Sequence, residues 1–203
     1  MKLYFTTLQR KDYKKAIDFI AEGMHFDWYL NNKLMQRLYA RYFLYAELNE
    51  ATQVIAAYAD QRLAGFLIAD VKGEPKPFRT IWKRFFVKGI EKIGNFLAKQ
   101  SINVYDQANQ ALLKEYTRHH FVQGEIGLFS VDPLLEGKGV GTRLLQELEK
   151  REKGKNIILY TDDACVYQFY EHRRFERRGE KDIVLKLSHR AAPLRCFLYS
   201  KVL

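Results

Sequence analysis

The stretch Glu125-Ile126-Gly127-Leu128-Phe129-Ser130-Val131-Asp132-Pro133, continued by Glu136-Gly137-Lys138-Gly139-Val140-Gly141-Thr142-Arg143-Leu144-Leu145, decides how this chain is read. Ile126 to Val131 is apolar and strand-like, and it runs into Asp132-Pro133. A short glycine-rich turn follows. After it comes a helix with Leu144, Leu145 and Leu148 on one face. Strand, glycine turn and helix in that order make an anion cradle. Glycines let the backbone approach a bulky phosphate. The free N–H groups of the first helical turn point at the anion, and the helix dipole favours its charge.

Two common phosphate loops do not fit. A P-loop needs Gly-x-x-x-x-Gly-Lys followed by Ser or Thr, whereas Gly141 is followed by Thr142-Arg143. A dinucleotide fingerprint needs Gly-x-Gly-x-x-Gly near the start of a βαβ unit. Here the glycines alternate at 137, 139 and 141, late in the chain, with no second unit behind them.

The spacing resembles the acyl-CoA loop of the GNAT family of N-acetyltransferases, which reads Gln/Arg-x-x-Gly-x-Gly/Ala. Gly139 and Gly141 match it, and Glu136 stands where Gln or Arg is usual. Further on, Phe169-Tyr170-Glu171-His172-Arg173-Arg174-Phe175 is similar to the family's Phe-Tyr-x-x-x-Gly-Phe, with Arg174 in place of the glycine. The resemblance covers about Glu125 to Phe175 and is absent from Gly73 to His120. It implies an α/β GNAT-type acyl-CoA N-acyltransferase fold: a mixed, mostly antiparallel twisted sheet flanked by helices. It also implies acetyl transfer from acetyl-CoA, as cosubstrate, to a primary amine by direct attack, without an acyl-enzyme.

On that resemblance Phe129, Ser130 and Val131 offer edge backbone groups to the pantetheine arm. The main chain of Gly137, Lys138, Gly139, Val140, Gly141 and Thr142 takes the pyrophosphate, and Lys138 and Arg143 add charge. Tyr170 matches the family tyrosine that protonates the departing thiolate; phenol and thiol pKa values lie within about two units of each other. Glu125, at the head of the cofactor strand, is the candidate base, with a strand-end surface carboxylate as the alternative. The acceptor is a small-molecule or peptide amine, and its identity is not encoded in any recognisable pattern. A non-catalytic acyl-CoA-binding module is the alternative suggested by Glu136 and Arg174.

Composition bounds these readings. The 203 residues suit one domain, with a cofactor core at about 125–175 and an insert at about 73–120. Apolar residues make up 47%, enough for a sizeable interior. The N-terminus, Met1-Lys2-Leu3-Tyr4-Phe5-Thr6, turns polar at once and does not read as a signal peptide. No apolar run approaches the roughly 20 residues of a membrane span, so a cytoplasmic protein is expected. Cys165 and Cys196 sit in different elements, define no metal spacing and are expected to stay reduced. The histidines also lack ligand spacing, so no metal is expected. The net charge of +10, from 34 Lys+Arg against 24 Asp+Glu, suits a solvated basic surface or an anionic ligand.

Outside the cofactor core, Lys2–Leu8 reads as a first strand and Lys11–Ile20 as a short helix. Asp27–Asn49 reads as a longer helix with Leu30, Leu34, Leu38, Tyr42 and Tyr45 at helical spacing. Thr52–Tyr58 and Leu63–Val71 form a hairpin about Asp60-Gln61-Arg62. The insert between the third and fourth strands reads as a helical hairpin on one side of the sheet. Its first helix, Arg79–Ala98, carries Ile81, Trp82, Phe85, Phe86, Ile90, Ile93 and Leu97 between Lys83, Arg84, Lys88 and Lys92; Ala108–Arg118 is the second. The basic aromatic helix invites a membrane or nucleic-acid reading. Packing on the sheet or on a second subunit, as in a homodimer, is preferred, and nucleic acid is not expected. Asn156–Thr161, Asp182–Leu187 and Arg195–Val202 read as strands, with Pro193 in the loop before the last. Asp162 and Asp163 read as caps of a Cys165–Phe175 helix, and Cys165 as an inert thiol.

Overall fold

A computed structural model describes residues 1–28, 30, 32–97, 101–186 and 191–203. Ala98 and Leu187, where two of the expected elements end, lie outside the described residues, as do positions 29 and 31 of the expected 27–49 helix.

The chain opens with β1 (Leu3–Thr6) and, after a single 3-10 turn, α1 (Tyr13–Gly23). The second helix, α2 (Lys33–Glu50), starts later than the apolar spacing predicts. Asn32 caps it, its side chain accepting from the Leu34 N–H at 2.8 Å. The buried stripe of α2 is Ala40, Leu44 and Leu48, while Leu34 is 74% exposed. β2 (Gln53–Ala59) and β3 (Arg62–Val71) form the expected hairpin. Asp60 and Gln61 both take positive φ, 46° and 63°. That geometry matches the right-handed twist of the flanking strands.

The insert forms two helices, α3 (Ile81–Leu97) and α4 (Ser101–Tyr116). Each packs chiefly on a different neighbour, which refines the simple hairpin expected. α3 lies on α2, with the Phe86 ring edge-on to Tyr45 at 5.2 Å, and leaves Trp82 81% exposed. α4 lies across the far strands, burying Ala108, Leu112 and Tyr116, spaced four apart.

β4 (Gly124–Val131) leads through Asp132-Pro133 into α5 (Val140–Arg151), and β5 (Asn156–Asp162) follows. A four-residue α6 (Gln168–Glu171) is all that forms of the helix expected from Cys165 to Phe175. Asp162 caps the preceding turn, accepting from the Ala164 N–H at 3.0 Å. Asp163 instead accepts from the Arg195 N–H at 2.9 Å. β6 (Glu176–Lys186) and β7 (Ala191–Val202) make a long hairpin. Pro193 therefore lies inside β7, not in a loop before it. It pairs with Val184 of β6, and β5 pairs with β7 only from Cys196 onward. The missing N–H of Pro193 thus costs no bond to β5.

The strands form one sheet in the order β1-β2-β3-β4-β5-β7-β6. Every neighbouring pair is antiparallel except β4–β5. α5 covers one face through Val140, Leu144, Leu145 and Leu148, side chains whose burial stabilises by about 2 kcal/mol each. On the other face α1 and α2 cover β2 and β3, and α4 covers β5, β6 and β7. The space between those two groups of helices lies over β4.

Candidate active site

β4 and β5 pair over three positions only: Gly124 with Ile157, Glu125 with Ile158 and Ile126 with Leu159. Beyond them β4 runs on to Val131 and β5 to Asp162, unpaired with each other. The splay leaves one edge of each strand open, and backbone groups there need other partners. β4 also carries a bulge at Gly127, where the register against β3 shifts. A cleft of about 1820 Å3 follows the split. Phe129, Ser130, Val131, Gly137, Gly139, Val140, Gly141, Thr142, Tyr170 and Glu125 all line it; of the expected site residues, Lys138 does not.

One end of the cleft is built by the turn before α5. Asp132 receives Lys15 at 2.8 Å and accepts from the Leu134 N–H at 3.1 Å, which holds the bend after β4. Gly137 and Gly139 both take left-handed φ, 73° and 78°, which other residues adopt only with strain. Gly139 is the N-cap of α5. The N–H groups of Gly137, Gly139, Val140, Gly141 and Thr142 have no carbonyl acceptor among the described residues. Lys138 is different. Its N–H donates to the Leu135 carbonyl at 3.2 Å and its Nζ to the Leu134 carbonyl at 3.1 Å. Arg143 lies over the Phe5 ring, away from the turn. Glu136 is exposed.

The cation beside this turn is Arg173, whose role the sequence did not reveal. Its Nε donates to Thr142 Oγ1 at 3.0 Å and its Nη1 to the Phe169 carbonyl at 2.9 Å, while its guanidinium stacks 3.7 Å from the Phe169 ring. Its partial burial holds its pKa below the usual arginine value. The one available signal was its place on the turn just after Tyr170. Gly141 lets α5 approach this aromatic wall, since a Cβ there would sit 3.0 Å from the Phe169 ring. The five unpaired amides, the glycine geometry and Arg173 together fit a diphosphate.

Tyr170 stands midway along the cleft, its ring 6.3 Å from Phe129, 5.3 Å from Phe169 and 5.8 Å from Phe175. Burial, and then the neighbouring Cys165, push its phenol above the usual range, so it is protonated at neutral pH. The Cys165 thiol is itself pushed to about 12, chiefly by burial and next by Asp162. Arg174, where the family pattern has glycine, keeps the left-handed geometry at φ 63°.

At the opposite end Glu125 sits on β4 with its carboxyl raised to about 6, by burial and then by Asp70 on the adjacent strand. Beside it is Glu47 of α2, which sequence reasoning missed. Its carboxyl is raised to about 7, first by burial, then by Glu125, Asp70 and Glu50. The nearness of the two carboxyls is itself one cause of the shift, since a charge on Glu125 opposes ionisation of Glu47. Glu47 fits over the bulge because Gly127 has no side chain. A Cβ at Gly127 would lie 2.7 Å from the Glu47 Cδ. No motif marks Glu47, because the contact depends on how α2 crosses β4.

Among the described residues no helix is long and apolar enough to cross a membrane, and no group of three His, Cys, Asp or Glu is placed to hold a metal. The sequence profile of the acetyltransferase (GNAT) family matches residues 17–179. No curated protein matches the chain. Solved structures share its fold at low identity. One is a Corynebacterium glutamicum protein described as histone acetyltransferase HPA2 and related acetyltransferase, with TM-score 0.58, 13% identity, and 98% and 96% of the two chains covered. A ribosomal-protein-alanine N-acetyltransferase from Brucella melitensis has TM-score 0.56 and 14% identity, with 98% and 99% covered. An agmatine N-acetyltransferase in its apo form has TM-score 0.59 and 9% identity, with 99% and 100% covered. With the profile spanning most of the sequence and the strand order and split sheet in agreement, the chain belongs to the GNAT family of acetyltransferases.

Proposed function

We propose that the chain transfers the acetyl group of acetyl-CoA directly to a primary amine. The observation that carries this reading is the single cleft, which joins the unpaired amides before α5, Tyr170 and Glu125 along one open strand edge. Acetyl-CoA supplies an acyl group activated as a thioester. The amides of Gly137, Gly139, Val140, Gly141 and Thr142, with Arg173, hold its diphosphate. The open edge of β4 at Phe129, Ser130 and Val131 pairs with the amide arm and aims the thioester toward Glu125.

Glu125 takes a proton from the incoming ammonium, and the freed nitrogen bonds the acyl carbon as the carbon–sulfur bond breaks. Tyr170 gives its phenolic proton to the departing sulfur and is reprotonated from solvent; the acylated nitrogen sheds its second proton to solvent and Glu125 gives up the first there, so one proton is released overall. Direct transfer is supported by Cys165. It lines the cleft, yet a thiol raised to about 12 holds almost no thiolate at neutral pH.

The test is release of free CoA thiol from acetyl-CoA across a panel of primary amines, with the N-acetyl product identified by mass spectrometry. Amine-dependent release with stoichiometric product is expected. An acetyl group isolated on Cys165 after acid quench would refute direct transfer. CoA binding without turnover for any amine would make the chain a binding module.

A further inference from the structure

The acceptor end of the cleft is acidic in a basic chain. Glu47 of α2, Glu125 of β4 and Asp106 of α4 line it, although Lys+Arg outnumber Asp+Glu by 34 to 24 overall. Among the described residues Arg173 alone of the lysines and arginines lines the cleft, and it is engaged with Thr142 at the far end. The charged groups that act on the buried Glu47 carboxyl are all carboxylates: Glu125, Asp70 and Glu50. Lys76 meets Asp70 at 2.9 Å and Glu50 at 2.7 Å, and among the described residues no cation pairs with Glu47 or Glu125. The hydroxyl of Tyr160 lies within electrostatic reach of Glu125, and that of Tyr42, which bonds Glu91 of α3, within reach of Glu47 and Asp106. One turn beyond Asp106, Asn109 lines the same cleft, and its Oδ1 is buried with no hydrogen-bond partner among the described residues.

We propose, on the acetyltransferase reading above, that the acceptor is a diamine or polyamine, its reacting nitrogen received by Glu47 and Glu125 and a second ammonium held by Asp106 and Asn109. Every unpartnered group here accepts hydrogen bonds, and an ammonium offers three donors and a compensating charge. The proton that the reacting nitrogen gives up neutralises Glu125 as it moves, which leaves Asp106 and Asn109 to hold a second, fixed ammonium. Asp106 is exposed at the mouth of the cleft, where a longer polyamine leads out to solvent.

Putrescine and butylamine share a four-carbon skeleton and differ in the second ammonium, so they isolate its contribution. Two measurements are made with each: kcat/KM with acetyl-CoA, and affinity by calorimetry for the protein saturated with CoA. Putrescine is expected to exceed butylamine about tenfold in both, the worth of one partly buried charge pair. Asp106→Asn, at an exposed position, is expected to lower the putrescine-to-butylamine ratio about tenfold. Glu47→Gln is expected to weaken both ligands. Equal use and equal binding of the two amines, or a ratio indifferent to Asp106→Asn, overturns the proposal. If no amine is acetylated, acetyl transfer fails, while the calorimetric ratio still decides whether this cleft takes a dication.

Discussion

Replacing Glu47 by glutamine makes the fold more stable in alkali than the wild type and no more stable in acid. The Glu47 carboxyl has its ordinary value of 4.5 in the unfolded chain and about 7 in the fold. The folded state therefore binds the proton more tightly. Between those two values folding takes up a proton, so stability falls as pH rises through the window. The loss is complete above about 7. A tenfold change in proton affinity is worth about 1.4 kcal/mol, so the ionised carboxylate costs the fold roughly 3–4 kcal/mol. Glutamine keeps the shape and cannot ionise. No hydrogen bond donated to Glu47 is lost, because none is seen among the described residues. Urea unfolding of both proteins at about pH 4 and about pH 8.5 reads the difference. The variant is expected to match the wild type within about 0.5 kcal/mol in acid and to exceed it by roughly 3–4 kcal/mol in alkali. Stability curves that run parallel across this range would show that Glu47 titrates normally, and the account of a buried pair would be wrong.

Three further outcomes are expected. Arg174→Gly should stabilise the fold by about 1 kcal/mol, since it removes a side chain from a left-handed position; a lower melting temperature would contradict that geometry's cost. Tyr170→Phe should lower turnover by about a hundredfold or more with little change in CoA affinity; if turnover is normal, Tyr170 is a packing residue only. Gly139→Asp should abolish CoA binding, measured by calorimetry, because it puts a carboxylate at the N-cap facing the diphosphate; unchanged affinity would remove the cradle from the mechanism.

The order of elements was legible wherever a local pattern decides the structure. Alternating glycines before an apolar helix locate the turn that opens α5, and the run from Leu63 to Val71 locates its strand. Pro193 misled because proline is a breaker only where its N–H would be used, and β7 has no β5 partner at that point. The Leu34 spacing misled because it follows a stripe of α2 that starts outside the buried one. Arg173 was legible only through its place after Tyr170, and Glu47 not at all. Each acts across a tertiary contact, Arg173 on Thr142 and Glu47 over Gly127, and neither contact has a sequence period. Arg174 was legible as a departure, but only the backbone angle shows that the chain accepts the strain.

The short meeting of β4 and β5 has a consequence for how the sheet breathes. Only three residue pairs join its two halves there, so the seam is the weakest line across an otherwise continuous ladder. Deuterium should enter the seam-facing amides of residues 127–131 quickly in the free protein and slowly once the coenzyme's arm lies along them. On the proposed function, occupancy would do more than fill space: it would stitch two half-sheets into one mechanical unit.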